Sequence, residues 1–396
     1  MNIICATNMP FAMEAFSTLG ETRILEGRNI KAADVRETQI LALRSTTKVN
    51  RELLEGSQVR FVGTATIGTD HLDIPYFDKA GIKWCFAPGC NANSVSEYIA
   101  AALLYLACKH GITLEGKAIG VIGVGNVGRR VVQKARALGM RVLMNDPPRE
   151  RAEKSGQWGV GSGQKEDDGN AFVSLEKVLA EADIITMHVP LTKDGPDKTF
   201  HLADATFFAR AKKGLILLNA ARGPVVDSPA LISALDTGWV SHVVLDTWEE
   251  EPHYRMDLVP RVDIATPHIA GHSFEGKMMG TVMVYREVCK FLGVPAVWSH
   301  EPLMPPPLVP EVRVDATGRD DQAILWEVVR QVYDLEGDDH RFRASAVADE
   351  KERMKNFDRL RSDYPERREF QYTKVTLNGG GSPLRCALVE LGFKVE

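Results

Sequence analysis

The chain is short of the features that mark several protein classes. Six cysteines (Cys5, Cys85, Cys90, Cys108, Cys289, Cys386) are scattered through 396 residues with no metal-type pair. That excludes a disulfide framework, and no metal is expected. Several of these cysteines sit inside apolar runs, as reduced thiols of a cytoplasmic protein would. Long apolar runs are absent as well. The longest, Tyr98 to Cys108, falls short of the roughly 20 residues needed to cross a bilayer, so no membrane contact is expected. The start, Met1-Asn2-Ile3-Ile4-Cys5, lacks a basic stretch followed by a long apolar one, so no signal peptide is expected. Positive charge is not in excess either. Lys and Arg total 48 against 53 Asp and Glu, a net charge of −5, which leaves no field to attract nucleic acid or an anionic membrane. What is present, 44% hydrophobic and 26% charged residues, is the make-up of a globular protein with two or three domains.

Residues 2–6, 39–43, 59–65 and 83–87 are short apolar runs separated by helical or turn material, the alternation of an α/β parallel sheet. Residues 94–109 read as a long helix, with Ser94 and Glu97 as a capping box. A second α/β block begins at Lys117, with strands expected at 118–122, 141–145, 184–188, 215–219, 243–246 and 262–265. Between the second and third of these, Glu150–Asn170 reads as a surface insertion. A helix is expected to about Leu292, then a stiff connector, Pro302 to Pro310, rich in proline. Residues 313–396 carry their own apolar runs and read as a small third domain, α+β in type.

Gly123-Val124-Gly125-Asn126-Val127-Gly128 lies between an apolar strand and a helical stripe. Alone such a turn is weak evidence; in a strand–turn–helix it is the dinucleotide signal of a Rossmann-type sheet. Gly123 suits the tight turn, Gly125 the approach of pyrophosphate, Gly128 the close packing of helix on strand. The helix start, at Asn126 and Val127, offers amides to phosphate. Asp146 closes the next strand, where a carboxylate accepts ribose hydroxyls and repels a 2′-phosphate, so the cofactor is expected to be NAD rather than NADP.

Three further segments each follow an apolar run: Asn219-Ala220-Ala221-Arg222-Gly223, Asp246 to Pro252, and Thr266-Pro267-His268-Ile269-Ala270-Gly271. Oxidising a 2-hydroxy acid needs a cation for the carboxylate and a base for the hydroxyl proton. Arg222 suits the first, as a bidentate fork, and His268 the second. Glu251 is placed to orient His268, and Asp246 to hold the nicotinamide amide or ribose. Singly, each has an ordinary reading: a salt-bridge arginine, a solvated acidic run, a packed loop histidine. Jointly, they fall at successive strand ends on the side of the sheet where such enzymes work.

With these residues the chain resembles the D-isomer-specific 2-hydroxyacid dehydrogenases, whose arginine, glutamate and histidine match Arg222, Glu251 and His268. Further pointers are Arg44-Ser45-Thr46-Thr47-Lys48-Val49-Asn50, Gly63 to His71, Ala87 to Ala92, and Tyr364-Pro365-Glu366-Arg367-Arg368-Glu369-Phe370. The resemblance implies two Rossmann-like parallel-sheet domains: a discontinuous substrate domain (1–97 and 270–290) and an inserted NAD domain (98–269). It adds a C-terminal dimerisation domain (300–396), hence a homodimer. It implies NAD-dependent oxidation of a small phosphorylated hydroxy acid, 4-phospho-D-erythronate, at C2, in pyridoxal 5′-phosphate biosynthesis. Carried over, Ser45, Thr66, Arg44 and His272 contact substrate, while Asp146, Asp246 and Gly271 join the glycine turn at NAD. Arg44, then Lys48, are candidates for the distal phosphate; Arg367 and Arg368 belong either to a partner's site or to an interface. The family pattern has tyrosine where this chain has His272. A phosphoglycerate or hydroxypyruvate type of dehydrogenase, or a non-catalytic NAD-sensing scaffold, are the competing readings.

Overall fold

The computed structural model describes residues 1–155 and 171–396. Of the expected 150–170 insertion, the start belongs to the helix Pro147–Lys154, and 156–170 lie outside the described residues. The chain forms two compact units, Met1–Ser94 with His272–Pro307, and Val95–Gly271 with Leu308–Glu396.

The first unit holds β1 (Asn2–Ala6), β2 (Glu21–Leu25), β3 (Ile40–Leu43), β4 (Phe61–Thr64) and β5 (Lys83–Cys85). They pair in parallel in the order β2-β1-β3-β4-β5. The central strands are the continuous apolar runs expected of a sheet covered on both faces. β2, at the edge, alternates and carries Glu21 and Arg23, and its sequence gives no such run. Helix Phe274–Leu292 returns to this unit and lies directly on β4. A Cβ on Gly63 would stand 2.3 Å from Val284 Cγ1, and one on Gly280 would stand 2.7 Å from the Ala65 carbonyl oxygen. Only glycine permits that approach.

The second unit holds β6 (Ala118–Ile122), β7 (Arg141–Asn145), β8 (Ile184–Met187), β9 (Leu215–Asn219), β10 (Val240–Leu245) and β11 (Ile264–Ala265). All are parallel, in the order β11-β10-β9-β8-β6-β7. Strand order reverses at β1/β3 in the first unit and at β6/β8 in the second, and ligands of open α/β sheets bind at such crevices, beyond the strands' carboxyl ends. A further parallel sheet, β12 (Glu311–Asp315), β13 (Lys374–Asn378) and β14 (Lys394–Val395), belongs to the second unit. It shares one core with the long helix Ala92–His110, through Leu103, Ile324, Val329 and Leu388. Lys134 Nζ donates to the Leu391 carbonyl at 2.6 Å, tying helix Asn126–Ala137 to the C-terminal segment. Among the described residues no helix is long and apolar enough to cross a membrane.

Candidate active site

The glycine turn after β6 is built as a cradle. Gly123 has φ 86°, and a Cβ there would meet the His188 carbonyl at 2.7 Å; one on Gly128 would stand 2.0 Å from the Gly123 oxygen. A Cβ on Gly125 would meet nothing within 4 Å, and both Gly125 and Asn126 are exposed. Gly125 caps helix Asn126–Ala137 without any side-chain hydrogen bond, so no capping side chain occupies the first amides of that helix. This is the fit for a pyrophosphate. Asp146, at the end of β7, accepts from the Val124 amide at 2.8 Å and the Arg149 amide at 3.0 Å. It therefore caps helix Pro147–Lys154 and fixes the turn, with lone pairs left for ribose hydroxyls. Nothing in the sequence pattern singles out Arg149, which donates to the Val124 carbonyl at 2.6 Å and closes the turn from outside.

At the ends of β9, β10 and β11 the second unit brings Arg222, Glu251 and His268 into one linked arrangement. Asn219 Oδ1 accepts from the Ala221 amide at 3.1 Å, and its Nδ2 donates to the Arg222 carbonyl at 3.0 Å, shaping the turn that carries the guanidinium. Gly223 follows because the turn presses on the next segment: a Cβ there would lie 1.8 Å from the Trp248 carbonyl oxygen. Trp248 in turn donates through Nε1 to the Thr266 carbonyl at 2.8 Å and through its amide to Glu251 Oε2 at 3.1 Å. Glu251 Oε1 stands 2.5 Å from His268 Nδ1. Burial alone would raise the Glu251 pKa, but the facing His268 and the Trp248 amide outweigh it and hold the carboxyl below its ordinary range. A carboxylate only accepts, so Nδ1 carries the proton and Nε2 the lone pair of a base.

His268 has φ 58°, a left-handed conformation costing about 1–2 kcal/mol for a residue with a side chain. The surrounding bonds impose it. The His268 amide donates to the Asp246 carbonyl at 2.6 Å. The Asp246 carboxylate accepts from Thr266 Oγ1 at 2.7 Å and from the amides of Ile269 at 2.8 Å and Ala270 at 3.0 Å. Asp246, expected at the cofactor, is 1% exposed. Its oxygens answer the loop's otherwise orphaned amides, which makes it an anchor of the histidine loop. Tyr98, also without a sequence signal for this role, meets Thr266 Oγ1 at 2.8 Å. Arg367 and Arg368 are 6% and 4% exposed inside their own chain, and Arg367 Nη2 donates to the Ala270 carbonyl at 2.9 Å. Gly271 is buried at the end of this unit.

The first unit places Arg44 and Ser45 just past β3, and Thr66 just past the adjacent β4. Arg44 Nη1 donates to the Ala65 carbonyl at 2.9 Å, and Ser45 and Lys48 are exposed. Thr66 Oγ1 donates to the Gly68 carbonyl at 2.9 Å, so it accepts from Thr64 Oγ1 at 2.7 Å, which is met by His71 Nε2 at 2.9 Å. Burial pushes His71 down to about 4. His272 precedes Ser273, whose hydroxyl caps helix Phe274–Leu292 by accepting from the Gly276 amide at 2.9 Å.

At the opposite end of the second unit's large sheet, His110 Nε2 and His242 Nδ1 meet Asp263 at 2.7 and 3.2 Å. Each imidazole can donate N–H to that carboxylate, so the trio is satisfied without an ion.

An open glycine turn at a helix start, a carboxylate closing the next strand and a glutamate–histidine pair at 2.5 Å are the groups that an NAD-dependent dehydrogenase of 2-hydroxy acids needs. Residues 105–270 match the family model for the NAD binding domain of the D-isomer specific 2-hydroxyacid dehydrogenases, and residues 303–392 match a domain of unknown function. Erythronate-4-phosphate dehydrogenase of Edwardsiella ictaluri is 47% identical over 393 residues, covering 99% of each chain. Its counterpart from Ectopseudomonas mendocina is 44% identical over 392 residues, again covering 99% of each. D-lactate dehydrogenase of Aquifex aeolicus, solved with NAD and lactic acid, is 25% identical with a TM-score of 0.57 over 74% of this chain and 96% of that one. The chain belongs to the D-isomer specific 2-hydroxyacid dehydrogenase family, within its erythronate-4-phosphate dehydrogenase group.

Proposed function

We propose that the chain oxidises 4-phospho-D-erythronate at C2 to 3-hydroxy-2-oxo-4-phosphooxybutanoate, as a step in pyridoxal 5′-phosphate synthesis. The observation that carries this reading is the Glu251–His268 pair at 2.5 Å beside the Arg222 turn, in a chain similar along its whole length to erythronate-4-phosphate dehydrogenases. NAD+, when bound, supplies the hydride acceptor for C2–H, and the Gly123–Gly128 turn with Asp146 would hold it. Arg222 grips the substrate carboxylate and the C2 oxygen in a planar fork. His268 Nε2 takes the C2 hydroxyl proton, and Glu251 stabilises the imidazolium that results. Asp246 fixes the loop on which that transfer depends. Arg44, with Lys48 second, receives the distal phosphate, and Ser45 and Thr66 contact the substrate. We further read the protein as a cytoplasmic homodimer joined through residues 300–396, a state that sedimentation of the full chain would test.

The decisive experiment is a panel of 4-phosphoerythronate, 3-phosphoglycerate, glycerate and D-lactate with NAD+, including single-turnover nicotinamide fluorescence. The highest kcat/KM is expected for 4-phosphoerythronate. A preference for 3-phosphoglycerate or glycerate would move the chain to the phosphoglycerate or hydroxypyruvate type, and inertness toward all four would favour an NAD-sensing scaffold.

A further inference from the structure

The C-terminal segment, in which residues 303–392 match a domain of unknown function, holds both ends of the catalytic loop. On the entering side, Asp339 Oδ1 accepts from the Ala265 amide at 2.7 Å. On the leaving side, Arg367 donates to the Ala270 carbonyl at 2.9 Å. His268 lies between these two points. Further back, Arg343 donates to the carbonyls of Val259 at 2.6 Å and Val262 at 2.7 Å, bracing the approach to β11, the edge strand of its sheet.

Arg367 is held as a fixed donor. Its guanidinium lies 4.2 Å from the centroid of the Tyr333 ring, and Tyr333 packs on Tyr98, the residue bonded to Thr266. Glu97 Oε1 accepts from the Phe370 amide at 3.0 Å, locking the segment that carries Arg367 against the long helix Ala92–His110. A buried guanidinium cannot shed its charge, so its N–H groups need acceptors, and one of these is the catalytic loop itself.

We propose that residues 308–396 position His268, with Arg367 and Asp339 as the positioning residues. The loop's left-handed turn at His268 is strained, and two groups from the C-terminal segment keep its flanks from relaxing. The inference rests on His268 being the base. Loss of either flank bond lets the imidazole drift, and small misplacements of a reacting group carry large penalties in rate.

The test uses the full-length protein as Arg367→Met, Arg367→Lys, Asp339→Ala and, as a reference, His268→Ala. Arg367→Met and Asp339→Ala are expected to lower kcat about tenfold, with KM for NAD+ within about twofold of wild type. The primary isotope effect with 2-deuterated substrate should rise as hydride transfer becomes limiting, and Arg367→Lys should recover part of kcat. If Arg367→Met fails to fold, Asp339→Ala, at a partly exposed site, carries the same test. Wild-type kcat and isotope effect in folded Arg367→Met or Asp339→Ala, with only a lowered Tm, would reduce the segment to a structural role. An active His268→Ala would overturn the base assignment instead, so the two failures are distinguishable.

Discussion

The two units wind their large sheets alike and place their candidate ligand-binding groups alike, yet they secure those groups to very different degrees. In the second unit, His268 is fixed at Nδ1 by Glu251, through its amide by Asp246, and on either side by Asp339 and Arg367. In the first, Arg44 leans on the Ala65 carbonyl and Ser45 lies open to solvent. Proton transfer tolerates little misplacement, and the proposed base sits in an over-determined loop. Recognition of a dianionic group acts over a longer range and demands less of geometry.

The largest expected effect breaks this contrast directly. His268→Ala should lower kcat by about 100-fold or more with NAD affinity nearly unchanged, whereas Arg44→Ala should raise KM for the phosphorylated acid with a smaller change in kcat. Steady-state kinetics on both variants decide it. Equal losses of kcat would mean the two sheets share the chemistry. A middle-sized effect concerns the cofactor alone: Asp146→Ala should erode the preference for NAD+ over NADP+ by about tenfold in kcat/KM. An unchanged ratio would show that another group, Arg149 first among them, governs the choice.

The last effect, on stability rather than on rate, is a likeness between the units. Each holds a largely enclosed histidine bonded to a threonine: His71 with Thr64, and His188 with Thr186 at 2.9 Å. Burial pushes them down to about 4 and about 3, from 6.5. Below pH 6.5 the unfolded chain takes up protons that the folded one refuses, so stability is lost as pH falls from 6.5 toward these values. For His71 that amounts to about 2–3 kcal/mol by pH 4.5. His71→Asn should therefore lose less stability than wild type between pH 7 and pH 4.5 in urea unfolding. Parallel losses would clear His71 of any part in acid sensitivity.

How much was legible in the sequence follows from which interactions are local. The central strands, the glycine turn and the strand-end segments announce themselves, because apolar period and glycine spacing are properties of neighbouring residues. β2 stayed hidden because an edge strand needs only one covered face. Arg222, Glu251 and His268 were readable as residue types at strand ends. The roles of Asn219, Trp248, Tyr98 and Arg367 were not, since each is defined by a backbone group that folding brings near. Asp246 adds to this from the other side: the sequence marks it as a strand-end carboxylate, and only the fold reveals that one hydroxyl and two amides of its own chain converge on that carboxylate.

Asp146 bears on redesign. Because its carboxylate caps the helix Pro147–Lys154 and holds the Val124 amide, exchanging it to admit NADP+ touches two tasks at once. An alanine forfeits the cap, typically about 1 kcal/mol. A serine or asparagine keeps an acceptor for the helix while removing the charge proposed to repel a 2′-phosphate. An engineer seeking a cofactor switch here is better served by a small neutral acceptor than by a clean deletion.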